Sequence, residues 1–192
     1  MIIWKRKLYR IGFGSIVPTV YIVQGRPYLA LGIAAFFLSM LLALEYERHK
    51  NPNVWGWFLS HFGGIFKTMP GTLTGETNFM IAAFLSVLYL PGPIAISNLY
   101  FLVFGDAFSA FVGKNFGKVP VLPGKTLEGM LAGIAANIIV ALLLNLHFSI
   151  SFEILLVGVL LGSAIEVLPL KIDDNLTVGL IPGIVMGILY SK

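Results

Sequence analysis

An aspartate embedded in an apolar run, followed at once by a loop of lysines and glycines, is the arrangement in this chain with the clearest chemical consequences. It lies in residues 105–129, GDAFSAFVGKNFGKVPVLPGKTLEG. A carboxylate at mid-membrane costs about 2.5–3.5 kcal/mol on insertion scales, so Asp106 is expected to face a polar cavity or a cation. At helical spacing Asp106, Ala110, Gly113 and Gly117 share one stripe, with Ser109 beside it. Small residues in such a stripe let another helix, or a ligand, come close. The loop GKNFGKVPVLPGKT then offers what a phosphate group needs. Its glycines let backbone amides approach an anion, and Lys114, Lys118 and Lys125 supply point charges. Thr126 can cap the following helix, whose N-terminus attracts negative charge, and Glu128 stands in that helix's first turn. The GxxxxGKS/T spacing of a Walker A loop is not met.

A second cluster is EVLPLKIDDNLT, residues 166–177. Glu166 sits at the inner end of one helix, Pro169 breaks it, and Asp173, Asp174 and Asn175 precede the last apolar segment. One of those three is expected to cap that segment. Three acids within nine residues exceed what a cap needs. With Asp106, Asp173 and Asp174 are candidate oxygen ligands for magnesium, which favours one or two carboxylates plus substrate phosphates. His49, His61 and His147 are scattered, no serine stands in a nucleophile-elbow pattern, and cysteine is absent. Hydrolysis by a Ser/His pair, thiolate chemistry and Cys-ligated zinc are thereby excluded. Acids for a divalent cation and lysines for phosphates suit phosphoryl or nucleotidyl transfer, where positioning and charge neutralisation dominate.

These groups must be positioned by membrane helices. The chain has 192 residues, 57% of them hydrophobic and 11% charged, with mean hydropathy +0.89. Soluble domains are about a quarter charged. The expected fold class is all-α: a polytopic integral membrane protein of about seven spans, forming a single transmembrane domain over residues 1–192. The apolar segments are Ile11–Val23, Pro27–Leu44, Phe79–Leu90, Pro93–Val112, Leu127–Leu146, Ile154–Leu168 and Leu176–Tyr190. Several are shorter than the roughly 20 residues that cross the hydrocarbon, and a re-entrant first segment is the alternative to a full span there.

With the N-terminus inside, the inner segments 1–10, 45–78, 113–126 and 169–175 hold eleven of the thirteen lysines and arginines, all but Arg26 and Lys192. That asymmetry follows the positive-inside rule. The net charge of +4 is therefore read as topology and not as nucleic-acid binding. All the acids except Glu153 lie in or at the mouth of the inner loops, so the chemistry is expected on the cytoplasmic face of the cell membrane. Within the long inner connection, NPNVWGWFLSHFGGIFK combines Trp55, Trp57, Phe58, Phe62 and Phe66 with His61 and Lys67 and reads as an interfacial amphipathic helix, either a surface-lying anchor or a wall for a lipid substrate. The basic start, MIIWKRKLYR, is followed by no small-residue cleavage site, so no cleavable leader is expected.

In order along the chain, FGDAFSAFVGKNFGK, GKTLEG and E…DDNLT…PG resemble the CTP-dependent polyisoprenol kinase family, which includes dolichol kinase, phytol kinase and CTP-dependent diacylglycerol kinase. The opening RKLYRIGFGSIVP is similar to that family's N-terminal stretch, with Arg10 where the family has a histidine. The phosphatidate cytidylyltransferases are a more distant resemblance, sharing GD…G…FG…KS/T…EG. The resemblance implies a CTP-binding segment at about 98–130 and an acidic segment at about 166–177. It implies Asp106 as a magnesium or nucleotide-phosphate ligand, and Lys118 and Lys125 on the CTP phosphates, with Gly113 and Gly117 allowing close approach. Lys114 and Thr126 belong to the same nucleotide site, and Glu128 would orient the loop or a lysine. Asp173 or Asp174 would bind a second metal or take the proton of the lipid hydroxyl, supported by Asn175 and Glu166. The implied reaction transfers the γ-phosphate of CTP to a long-chain isoprenoid alcohol. The alternatives are a cytidylyltransferase making a CDP-lipid and a small transporter using Asp106 as an ion site. Expected partners are CTP, a membrane lipid alcohol and the bilayer, with no nucleic acid; the small-residue stripes permit a homodimer.

Overall fold

The structure, a computed structural model, describes residues 2–62, 72–168, 170 and 172–192, with side chains from Lys7 onward. Phe66, Lys67, Pro169 and Lys171 lie outside the described residues, as do the side chains of Lys5 and Arg6. The described chain is helical: α1 (Ile2–Gln24), α2 (Pro27–Lys50), α3 (Pro52–Phe62), α4 (Gly75–Tyr89), α5 (Gly92–Phe116), α6 (Leu127–Phe148), α7 (Phe152–Val167) and α8 (Asp174–Tyr190). Strands β1 (Pro120–Leu122) and β2 (Lys125–Thr126) form a small antiparallel hairpin where the sequence suggested only a loop. Its cause is local. Pro120 and Pro123 lack the N–H that a continuing helix would need, and Gly124, at φ +79°, turns the chain back.

The apolar segments and the helices coincide, with informative differences at their ends. α1 begins at Ile2, not Ile11, and runs as one continuous helix through Pro18, so Lys7 and Arg10 stand on a helix and not in a tail. α2 likewise carries Glu45, Glu47 and Arg48 in its last turns. Three helices, α2, α5 and α6, are long and apolar enough to cross a membrane. The others fall short for distinct reasons. α4 and α7 have 15 and 16 residues, or roughly 23–24 Å at 1.5 Å per residue against about 30 Å of hydrocarbon. The first half of α1 is basic, and α8 is apolar but only 17 residues long.

α5 is the central helix and packs against α1, α4, α6, α7 and α8. On one side Val17, Leu41, Phe79, Leu99 and Val103 close the core, and on the other Ile94, Phe101, Ala141, Leu155 and Met186 do so. The tightest crossing is α5 on α6. A Cβ added at Gly129 would stand 2.6 Å from the Ser109 carbonyl oxygen and 2.9 Å from the Gly113 Cα, so the backbones themselves touch there. Pro182 interrupts the ladder of α8. Nearby, the Gly179 carbonyl accepts from Ser86 Oγ at 3.1 Å and Asn98 Nδ2 at 2.6 Å, which ties α8 to α4 and α5.

α3 has no buried residue; Trp57 and Phe62 are exposed, Trp55 stacks on Phe58, and the Arg48 guanidinium lies 5.7 Å over Trp55. An exposed aromatic helix of this kind suits a membrane surface.

Candidate active site

The N-terminal half of α1, the end of α5, the start of α6, the end of α7 and the start of α8 meet at one end of the molecule, and Asp106 stands at their centre. Its Oδ1 accepts from Lys7 Nζ at 2.6 Å and its Oδ2 from Arg10 Nη1 at 2.5 Å. Lys7 Nζ also donates to the Asp106 carbonyl at 3.2 Å. The sequence required a cation or a polar cavity for this carboxylate, and the structure gives it two cations, both from α1. Arg10 reaches further. Its Nη2 donates to Asn175 Oδ1 at 2.6 Å, and the Asn175 backbone and side-chain nitrogens donate to Asp173 Oδ1 at 3.0 and 2.8 Å. One polar chain thus joins α1, α5 and α8.

Asp173 is the N-cap of α8. Burial pushes its carboxyl above the ordinary carboxylate value, Asn175 hydrogen bonding opposes this, and the neighbouring Asp174 charge adds to the upward push.

The hairpin is fastened to α6 by Glu128, whose carboxylate accepts from the Lys118 N–H at 2.9 Å and the Val119 N–H at 3.2 Å. Thr126 caps α6, its Oγ1 accepting from Gly129 N at 3.3 Å. Gly117 is required by packing: an added Cβ would lie 2.5 Å from Thr126 Oγ1 and 2.2 Å from the Gly113 carbonyl oxygen. Gly113 faces the same threonine and Gly129. The helix stripe therefore admits α6 and the hairpin. Lys125 folds inward, donating to the Glu166 carbonyl with its Nζ 3.8 Å from Glu166 Oε1. Ser109 Oγ lies 3.4 Å from the same carboxylate oxygen.

These groups border a cavity of about 440 Å³ between α5, α6, α7 and α8. Lys7, Asp106, Lys114, Lys125, Glu166 and Asp174 form its polar part, with Thr126 and Asn175 beside them. Deeper along the helices the wall turns apolar, with Phe101, Leu102, Met130, Val178 and Pro182, interrupted by Asn98 and Asn137. Of the residues singled out in the sequence, Gly113 also lines it, whereas Gly117, Lys118, Glu128 and Asp173 stand outside its wall.

The three carboxylates expected to share a metal do not converge in this way. Asp106 has a cation on each oxygen, Asp173 is engaged with Asn175, and no group of three or more His, Asp or Glu able to hold a metal ion occurs among the described residues. Glu166 and Asp174, both on the cavity wall, remain as a donor pair. Such a pair fits magnesium in the form that takes one or two carboxylates and completes its shell with substrate phosphates and water.

Two members of the site went unremarked in the sequence. By sequence both Lys7 and Arg10 are inner-face charges, and Arg10 also stands where the resembled family has a histidine. Their i, i+3 spacing on one helix face was the available signal.

The matched protein family agrees with the chemistry of this end of the molecule. Residues 5–173 match the cytidylyltransferase family, a span that runs from α1 to the cap of α8. An uncharacterised protein of Rickettsia prowazekii (strain Madrid E) is 26% identical over 185 residues, covering 92% of this chain and 89% of the relative. No solved structure matches. With the family match covering most of its length, the chain belongs to the cytidylyltransferase family, whose name points to the use of CTP.

Proposed function

We propose that the protein is a CTP-dependent lipid kinase, transferring the γ-phosphate of CTP to the hydroxyl of a long-chain isoprenoid alcohol. One observation carries this reading: a single cavity has a lysine-bordered polar part and an apolar part, so an anion and a lipid can meet in it. Lys7, Lys114 and Lys125 supply positive charge beside the α6 N-terminus, which adds its own attraction for phosphate. In the reaction the alcohol oxygen forms a bond to the γ-phosphorus and the bond to the β–γ bridging oxygen breaks. CDP leaves with that electron pair, and the hydroxyl proton passes to a cavity carboxylate, Asp174 or Glu166. Magnesium held by the other of these two carboxylates, with phosphate oxygens and water, would supply neutralisation of the triphosphate charge. Asp106 holds Lys7 and Arg10 in place and thereby sets the charge of the cavity.

In this reading α1, α2, α4, α5, α6, α7 and α8 all cross the cell membrane with the N-terminus inside. The charge asymmetry of the sequence supports that orientation. Tilt and local thinning would accommodate the shorter helices.

A second reading, a cytidylyltransferase in which a phosphorylated lipid attacks the α-phosphate and releases pyrophosphate, is equally consistent with the family match. Purified protein incubated with magnesium, CTP and a panel of lipid alcohols separates the two. CDP as the nucleotide product is the expected result. Pyrophosphate supports the second reading, and equal turnover of ATP overturns the assignment of the nucleotide.

A further inference from the structure

We infer that Asn137 of α6 positions the hydroxyl of the acceptor lipid, a role that rests on reading this cavity as the site of a lipid alcohol. Asn137 lines the apolar part of the cavity and is only 7% exposed, yet its Oδ1 is buried with no hydrogen-bond partner. A buried polar atom left without a partner costs about 1–3 kcal/mol, and in a native structure it calls for a functional explanation. The other amide in this part of the wall is already committed, since Asn98 Nδ2 donates to the Gly179 carbonyl.

Asn137 is also held in place. A Cβ added to Gly105 would lie 2.6 Å from its Nδ2, so the carboxamide packs against the backbone immediately before Asp106. It therefore sits next to the charged cluster on the apolar side of it, where the polar end of a lipid has to stop.

The surroundings select the ligand group. A pyrimidine base presents several hydrogen-bonding atoms and needs several partners, whereas Phe101, Leu102 and Pro182, which line the same apolar part of the cavity, offer none from their side chains. A hydroxyl needs only one or two bonds, and a carboxamide can either accept from it or donate to it. On the α7 wall a Cβ at Gly162 would stand 3.7 Å from Pro182 and Val178, an ordinary contact, whereas Gly158 is filled by Met186, whose Sδ would lie 2.2 Å from an added Cβ.

The test is a binding cycle on the full chain in detergent, using geranylgeraniol and the same chain with its hydroxyl replaced by hydrogen. Calorimetry is run on the wild type and on Asn137→Leu, with thermal stability and CTP binding recorded for both. The wild type is expected to prefer the alcohol about tenfold, equivalent to about 1.4 kcal/mol. In Asn137→Leu that preference should vanish while CTP binding is unchanged. Should the leucine variant fail to fold, Asn137→Ala makes the same comparison without crowding Gly105. A wild type with no preference for the alcohol overturns the inference, as does a variant that keeps the preference. If the preference is present and Asn137-dependent but no lipid alcohol is phosphorylated, the kinase reading falls and the hydroxyl site stands.

Discussion

Two clusters in this molecule set an arginine against a carboxylate, and they differ in what lies around them. In the first, Glu45 is 5% exposed and its Oε1 accepts from Thr74 N at 2.6 Å and Thr77 Oγ1 at 3.0 Å. Its Oε2 accepts from Arg48 at 3.0 Å, and Arg48 also donates to the Thr72 carbonyl. The bonds to Thr72, Thr74 and Thr77 fasten the end of α2 to the capped start of α4, the Glu45–Arg48 pair lies within α2, and none of these residues lines the large cavity. In the second cluster Asp106 holds two cations, Lys7 and Arg10, and Asp106 and Lys7 face about 440 Å³ of space shared with Lys114, Lys125, Glu166 and Asp174. A buried ion pair alone says little about function or even stability. What distinguishes the second cluster is charged groups whose remaining surface points at a cavity.

Substitutions at matched positions turn that contrast into measurements. Asp106→Asn leaves Lys7 and Arg10 side by side without their counter-charge and is expected to lower turnover by about 10²–10³-fold, a loss of the size seen when a preorganised charge-stabilising group is removed. Glu45→Ala should give the opposite profile. Stability falls by about 3–5 kcal/mol because Arg48 loses its partner, while turnover per folded molecule is unchanged. Equal loss of turnover in the two variants, measured beside thermal denaturation, would erase the distinction between the clusters. If Lys125 meets a CTP phosphate as proposed, Lys125→Ala removes a charged contact worth about 1.5–3 kcal/mol. The KM for CTP should rise accordingly, by about 10–150-fold, with the melting temperature almost unmoved.

The smallest expected effect is at Asp173. Its carboxyl is raised by burial, so the ionised form is disfavoured in the folded state and stability is lost as pH rises through the folded value. Asp173→Asn keeps an N-cap acceptor. It should raise stability by about a few tenths of a kcal/mol at neutral pH. The gain disappears in acid, where the wild-type group is itself protonated. Melting curves of both proteins across pH measure it.

The helices were readable from contiguous apolar runs and charge because each depends on a contiguous stretch of chain. Asp106 could be singled out because a carboxylate in an apolar run needs a reason. Its partners could not, since Lys7 and Arg10 lie 99 and 96 residues away and the pairing exists only after α1 docks on α5. Gly117 shows the converse. Its glycine looked like a place for a phosphate to approach, and the structure puts the Thr126 side chain there. The Glu45 network was hidden for a different reason. Residues 45–78 read as one inner connection, yet Glu45 is still inside α2 and Thr74 already caps α4. Asn137 gave no signal in the sequence, because an asparagine in an apolar helix is conspicuous only once its oxygen is seen to lack a donor.

Whether the cavity brings a lipid hydroxyl to the terminal phosphate of CTP is tested most directly by following two labels in one reaction. CTP carrying one label on its γ-phosphate and a second on its cytidine is supplied with magnesium and geranylgeraniol to the purified protein. The γ label is expected in the lipid fraction, with the cytidine label recovered as CDP. Cytidine label in the lipid fraction, or neither label transferred, contradicts it.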